Sequence, residues 1–167
     1  MPPRSTEPDI SLRPALPSDC ERVWQINNEP SARAASRNPE PIAVDAHRRW
    51  FADCLADPGT ALHLIVDAAS SVLGVIRLER HGAYTELSLA IDREQRGRGV
   101  GRGAIRAAVA VSATRWPGLP VHAWVAEDNP ASRRCFEEAG FSRVGAETLG
   151  SRCFYLYRHG RAEQGTG

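Results

Sequence analysis

Leu87-Ser88-Leu89-Ala90-Ile91-Asp92-Arg93-Glu94-Gln95-Arg96-Gly97-Arg98-Gly99-Val100-Gly101 sets the architecture of the chain. Its first five residues place Leu87, Leu89 and Ile91 at alternate positions, the period of a strand. Beyond Gly101, the segment Gly103 to Thr114 is rich in Ala, Ile and Val and reads as a buried helix. Between them lies a glycine-rich turn. A turn of this kind, opening a helix, exposes unpaired backbone N–H groups and the positive end of the helix dipole. It suits a phosphate or pyrophosphate, so a phosphorylated cofactor is expected here.

Two common glycine loops do not fit. A Walker loop needs a lysine, and the sequence contains none. The dinucleotide fingerprint G-x-G-x-x-G is not matched by Gly97, Gly99 and Gly101, which alternate, and no acidic residue follows at the required distance. Arg96-x-x-Gly99-x-Gly101 resembles instead the acetyl-CoA loop of the GNAT N-acetyltransferase superfamily. Downstream, Asn129-Pro130-Ala131-Ser132 leads into Cys135-Phe136-Glu137-Glu138-Ala139-Gly140-Phe141. This is similar to the family segment Asn-x-x-Ala/Ser-x-x-x-Tyr-Glu-x-x-Gly-Phe. The resemblance extends from about Ile10 to Arg158. It implies a GNAT-type α/β sandwich with a mixed, mostly antiparallel sheet of about seven strands flanked by four helices. It also implies acetyl-CoA as acetyl donor. The strand residues Leu89, Ala90 and Ile91 would hold the pantetheine arm through their backbone. Arg96, Gly97, Arg98, Gly99, Val100, Gly101 and Arg102 would cradle the pyrophosphate, with Asn129, Ser132 and Phe136 contributing from the second segment. Arg133 and Arg134 could reach the phosphates or form a solvated helix face.

Composition narrows the class. A chain of 167 residues supports one domain with a substantial core. The net charge of +1 gives no general attraction to nucleic acid or a membrane surface, and no apolar run approaches membrane-span length. Cys20, Cys54, Cys135 and Cys153 stand far apart, without a C-x-x-C pair. They read as reduced thiols, with no zinc or disulfide frame and a cytoplasmic location. The histidines are equally scattered, so no metal is expected.

Working outward, residues 1–9 read as a disordered arm, 10–160 as a single domain and 161–167 as a flexible tail. Strands are expected at Ile10 to Arg13, Leu62 to Val66, Val72 to Leu78, Tyr84 to Ile91, Leu119 to Val125, Phe141 to Thr148 and Cys153 to Arg158. Ser18-Asp19-Cys20-Glu21 has the form of a capping box opening a helix to about Asn28. The proline-rich stretch Asn28 to Pro41 reads as an irregular loop. Further helices are expected around Val44 to Leu55, after the glycine loop, and from Asn129 to Gly140.

Acetyl transfer to an amine needs a base for one proton. Strand alternation puts Glu86, Ser88 and Ala90 on one face, opposite Leu87, Leu89 and Ile91. GNAT members carry an acid at this strand position, so Glu86 is the candidate base and Ser88 its helper; the alternative is that Glu86 faces water or pairs with an arginine. The family tyrosine that protonates the departing thiolate is Phe136 here. A thiol leaves readily, with pKa about 8.5, and water, Ser88 or Tyr155 could supply a proton. Cys135 reads as a packed helix-face thiol.

Asn27-Asn28-Glu29-Pro30, Ala32-Arg33 and His47-Arg48-Arg49-Trp50-Phe51 are similar to the Asn-x-Pro … His-x-x-Trp-Phe pattern of amino-sugar-nucleotide acetyltransferases of the pseudaminic acid pathway. That resemblance implies Asn28, Arg33, His47 and Trp50 as acceptor residues, although His47, on the apolar stripe of its helix, and Trp50 read more readily as core. The expected activity is acetyl-CoA-dependent transfer to a small-molecule amine such as an amino-sugar nucleotide. The alternatives are a protein N-terminal or lysine acetyltransferase, and an acyl-CoA-binding module without turnover. The closing strands, through Phe154 to Tyr157, could pair two copies into a homodimer or could be core.

Overall fold

In a computed structural model, which describes residues 7–160, the chain forms one seven-stranded sheet covered by helices on both faces. The elements are β1 (Ile10–Pro14), α1 (Cys20–Asn27), α2 (Pro30–Ala35), α3 (Val44–Ala56), β2 (Thr60–Asp67), β3 (Val72–His81) and β4 (Tyr84–Ile91). They continue as α4 (Val100–Arg115), β5 (Val121–Ala126), α5 (Pro130–Glu138), β6 (Ser142–Leu149) and β7 (Arg152–His159). The strand order is β1-β2-β3-β4-β5-β7-β6, and every neighbouring pair is antiparallel except β4 and β5. The expected mixed, mostly antiparallel α/β sandwich is the observed fold. Residues 1–6 and 161–167, most of the expected arm and all of the expected tail, lie outside the described residues. Glu7 to Asp9 are described, and Glu7 pairs with Arg102 and Arg106 of α4.

Period-two patterning explains the two cores. On one face Ile65, Ile76, Leu78 and Leu87 pack with Ala104, Ile105 and Ala108 of α4 and Phe136 of α5. On the other, Leu62, Leu64, Val66 and Val75 pack with Val23 and Ile26 of α1 and Phe51 of α3. Each of the Val, Leu, Ile and Phe side chains among these, fully removed from water, contributes about 1.5–3 kcal/mol. One polar pair crosses the first core: the buried hydroxyls of Thr85 and Ser112 share a hydrogen bond of 2.9 Å, pinning α4 to β4.

Two local expectations need correction. The stretch Asn28 to Pro41 is not wholly irregular, because it contains α2, giving five α-helices among the described residues where four were expected. Pro30 stands at its first position, where a missing N–H costs nothing, and the Glu29 carboxylate caps the Ala32 N–H. The capping box at Ser18 does not form; a short 3-10 turn at Pro17–Asp19 precedes α1, and no side chain caps the helix. Asp19 is used elsewhere, accepting from the Leu16 N–H at 2.7 Å and pairing with Arg13 at 2.8 Å.

The feature that positions the site is the incomplete pairing of β4 with β5. The two strands are in register only at Thr85–Val121 and Glu86–His122. From Leu87 to Ile91, β4 keeps β3 on one side and has no strand partner on the other. That open edge runs straight into the glycine turn and α4.

Candidate active site

The donor side is made by backbone. Gly97 and Gly99 have φ of 74° and 80°, conformations that L side chains adopt at a cost. They turn the chain so that α4 starts at Val100 with Gly99 as an N-cap that offers no side chain to its amides. The first intrahelical bond runs from the Gly103 N–H to the Gly99 carbonyl at 3.3 Å. The N–H groups of Val100, Gly101 and Arg102 are therefore free of helical partners and sit at the positive end of a 16-residue helix. Nothing lies within 4 Å of where a Gly97 Cβ would be, while the Pro8 Cδ lies 3.5 Å from where a Gly99 Cβ would be, so the turn is open on its Gly97 side. Amides at a helix start, beside an unpaired strand edge, fit a pyrophosphate followed by an amide-bearing arm.

The arginines around this turn have distinct partners. Arg96 is turned toward α2, bonding Glu29 at 3.0 Å, the Ser31 hydroxyl and the Ile91 carbonyl at 3.2 Å. The Ser31 hydroxyl, the Ala32 amide and Arg96 together hold the Glu29 carboxyl down at about 2. Arg98 is exposed. Arg102 meets Glu7 at 2.7 Å and Glu138 at 2.9 Å, which raises its guanidinium pKa.

Asn129 caps α5 through its side-chain oxygen, accepting from the Ser132 N–H at 3.2 Å. That leaves its amide NH2 for a ligand. Phe136 does not line an opening; it is 3% exposed, edge-on to Phe141 and stacked with Tyr157. Its role in the structure is packing. Cys135 lies beside the glycine turn, its Sγ 3.5 Å from where a Gly101 Cβ would stand. Burial pushes this thiol up, away from the thiolate a nucleophile needs. Tyr155 donates its hydroxyl to Glu127, which raises its pKa.

The acceptor side is the opposite face of β4. Glu86 and Ser88 are half-buried there. Arg77, the arginine of the adjoining strand on this face, pairs with Glu79 at 3.0 Å and not with Glu86. Across the sheet, Glu86 stands between Glu79 of β3 and His122 of β5. Two tryptophans flank this region, each beneath an arginine: Trp50 under Arg77 at 5.5 Å and Trp124 under Arg37 at 4.9 Å. Arg37 is held in turn by Glu147 at 2.7 Å.

Of the sequence-derived acceptor residues, Trp50 borders this face. The other three do structural work. Asn28 accepts the Ile42 N–H at 2.7 Å. Arg33 donates to the carbonyls of Asn27 at 2.8 Å and Asn38 at 3.2 Å, tying down the loop after α2. His47 is 1% exposed and bonds the Cys20 carbonyl at 2.8 Å. Burial pushes its imidazole below the ordinary histidine range.

A histidine held neutral by burial binds fewer protons folded than unfolded. Its stabilising effect is full above the unfolded value of about 6.5 and is lost as pH falls below that. The melting temperature is therefore expected to drop between pH 7.5 and 5. In His47→Gln, which keeps a donor for Cys20 and cannot charge, thermal melts should show a smaller drop.

Arg77, Glu79, Trp124 and Arg37 were not singled out in the sequence. Arg77 and Glu79 alternate with Ile76 and Leu78 at the end of an apolar strand, and that alternation was a readable sign of a polar-lined face.

A family model for the acetyltransferase (GNAT) domain matches residues 9–142. Mycothiol acetyltransferase of Clavibacter sepedonicus is 34% identical over 89 residues, which is 53% of this chain and 28% of that protein. The match thus spans little more than a quarter of the curated relative's length. Among solved structures, a spermidine N-acetyltransferase from Vibrio cholerae in complex with CoA and spermine superposes with a TM-score of 0.80 at 20% identity, covering 90% of this chain and 95% of that one. The aminoglycoside acetyltransferase AAC(6')-Ib in complex with coenzyme A does so with a TM-score of 0.76 at 15% identity, covering 92% and 95%. At these identities the likeness is one of fold. No described helix is long and apolar enough to cross a membrane.

Proposed function

The chain belongs to the GNAT acetyltransferase family, and we propose that it transfers an acetyl group from acetyl-CoA directly to the primary amine of a small molecule. One observation carries this reading. The strand whose open edge leads into the uncapped helix start also carries Glu86 and Ser88 on its acceptor face. Donor binding and proton removal are therefore built on the same eight-residue strand.

In this mechanism the amides of Val100, Gly101 and Arg102 hold the pyrophosphate, and the free edge of β4 with the Asn129 amide holds the pantetheine arm. Acetyl-CoA supplies the activated acetyl group. Glu86 accepts the proton that makes the acceptor nitrogen nucleophilic, and Ser88 orients that nitrogen. Backbone N–H groups of the β4 edge are suited to stabilising charge on the carbonyl oxygen. With Phe136 buried where the family pattern implied by the resemblance has a tyrosine, the sulfur leaves as thiolate and takes its proton from solvent, within reach of a group of pKa about 8.5.

A small-molecule acceptor is supported by the similar proteins, a spermidine acetyltransferase with bound spermine, an aminoglycoside acetyltransferase and a mycothiol acetyltransferase. The finer reading, an amino-sugar nucleotide, rests on the sequence pattern around Asn28 and His47. Only Trp50 of that set borders the acceptor face. The four unpaired cysteines support a reducing compartment, the cytoplasm.

The test is CoA thiol release from acetyl-CoA across UDP-4-amino sugars, aminoglycosides, polyamines and ribosomal N-terminal peptides. Selective release with one small-molecule class is the expected result. Release with peptides alone overturns the acceptor class and keeps the chemistry. Silence throughout, with acetyl-CoA bound, overturns the enzyme reading in favour of a binding module.

A further inference from the structure

On the acceptor face a row of ionisable residues crosses the sheet at one level. Glu79 of β3 pairs in register with Glu86 of β4, Glu86 with His122 of β5, and His122 with Arg158 of β7. Residues in register on neighbouring strands point to the same face, and neighbouring strands lie about 4.8 Å apart. Glu86 and His122 therefore stand side by side on this face, at the last level where β4 and β5 are still paired. Above that level the strands part. Below it, Tyr84 lies flat on His122, ring centroids 4.3 Å apart and planes 18° from parallel. His81 stacks on the other side of Tyr84 at 5.4 Å and 25°. The three rings form a column from the neighbour of Glu86 to His81, which is exposed at the β3–β4 turn.

We infer that His122 is the proton relay of the reaction, taking from Glu86 the proton removed from the acceptor and passing it to solvent, with Tyr84 fixing the imidazole by stacking. The inference rests on the reading of Glu86 as base. The balance closes. The acceptor ammonium gives one proton to Glu86, and its nitrogen then forms the bond to the acetyl carbon as the carbon–sulfur bond breaks. The second proton from that nitrogen balances the one the departing sulfur takes up. Glu86 must shed the first proton before another cycle, and His122 is the neighbouring base that can receive it.

The surroundings support this role. Tyr84 stacks on the ring, Glu86 of β4 and Arg158 of β7 are the register neighbours of His122, and Glu79 and His81 of β3 lie one strand further. Burial, aided by Arg158, lowers the imidazole pKa. The ring is thus neutral at pH 7, able to accept a proton and quick to release it.

Two measurements decide the inference. The first is an NMR titration of the His122 ring in the parent protein and in Glu86→Gln, with the signal assigned by its loss in His122→Gln. Removing the neighbouring anion is expected to lower the His122 pKa by about half a unit or more. An unmoved titration overturns the pairing, and this arm needs no acceptor. The second is turnover, with whichever amine of the panel releases CoA thiol. His122→Gln is expected to lower kcat about 10- to 100-fold with KM and CoA affinity near parent values, and imidazole should restore rate to His122→Ala. A purely structural histidine would show neither a selective loss in kcat nor imidazole rescue. Full activity in Glu86→Gln would remove the base reading. An inactive Glu86→Gln beside a fully active His122→Gln would overturn the relay alone.

Discussion

Replacing Glu86 by glutamine is expected to cut kcat by roughly 10²- to 10⁴-fold, the range for loss of a positioned general base, while CoA binding stays at its parent level. Glutamine keeps the size and a hydrogen-bonding group but cannot take a proton. The split is expected because Glu86 projects from the acceptor face of β4, whereas the proposed donor contacts are backbone groups along its edge and the α4 amides. The residual rate should then rise with pH, since deprotonation of the amine passes to solvent. Steady-state thiol release from pH 6 to 9, with CoA titration calorimetry on the same variant, checks both halves. Unchanged kcat would mean that the carboxylate is only a solvated strand residue, and Ser88 would lose its proposed role with it.

Gly74→Ala is expected to be the most damaging one-carbon addition in the molecule. Gly74 lies on β3 opposite Ile91 of β4. A Cβ there would meet the Ala90 carbonyl oxygen at 2.6 Å and the Ile65 Cδ1 at 3.1 Å. The first contact is with backbone and cannot be relieved by a rotamer change. Either β3 or β4 must shift, at a cost of about 1–3 kcal/mol for overpacking. At roughly 2–4 °C per kcal/mol for a domain of this size, the melting temperature falls by several degrees. β4 carries the donor edge, so a shift of β4 is expected to lower CoA affinity too. Thermal melts with and without CoA measure both. A variant with parent stability would show that β4 yields at Ala90 without penalty.

Strands and the donor turn were legible because their signals are local. Period-two alternation in Leu87 to Ile91 and glycines at left-handed positions act within a few residues, and the structure follows them closely. What escaped depends on partners distant in sequence. Arg22 pairs with Asp92, 70 residues away, and Glu29 with Arg96, 67 residues away. Each alone resembles a solvated surface charge. The short helix α2 was hidden among prolines that elsewhere mark loops, and only the Glu29 cap distinguishes it. His47 illustrates a further limit. The stripe Val44, His47 and Phe51 announced a helix face, but whether its imidazole met a ligand or a carbonyl depended on where α1 would pack. The structure puts the Cys20 carbonyl there.

The collar of arginines around the donor turn has a consequence for the protein's own chemical safety. A thioester held beside amine side chains would acylate them. Here Arg96, Arg98, Arg102 and Arg106 surround the turn, and no lysine occurs anywhere in the sequence. A guanidinium remains protonated at any pH the protein meets, so it attracts phosphates without attacking the acyl group. No lysine side chain of the protein can therefore be acetylated by its own donor, at the turn or at the thioester end of the pantetheine arm.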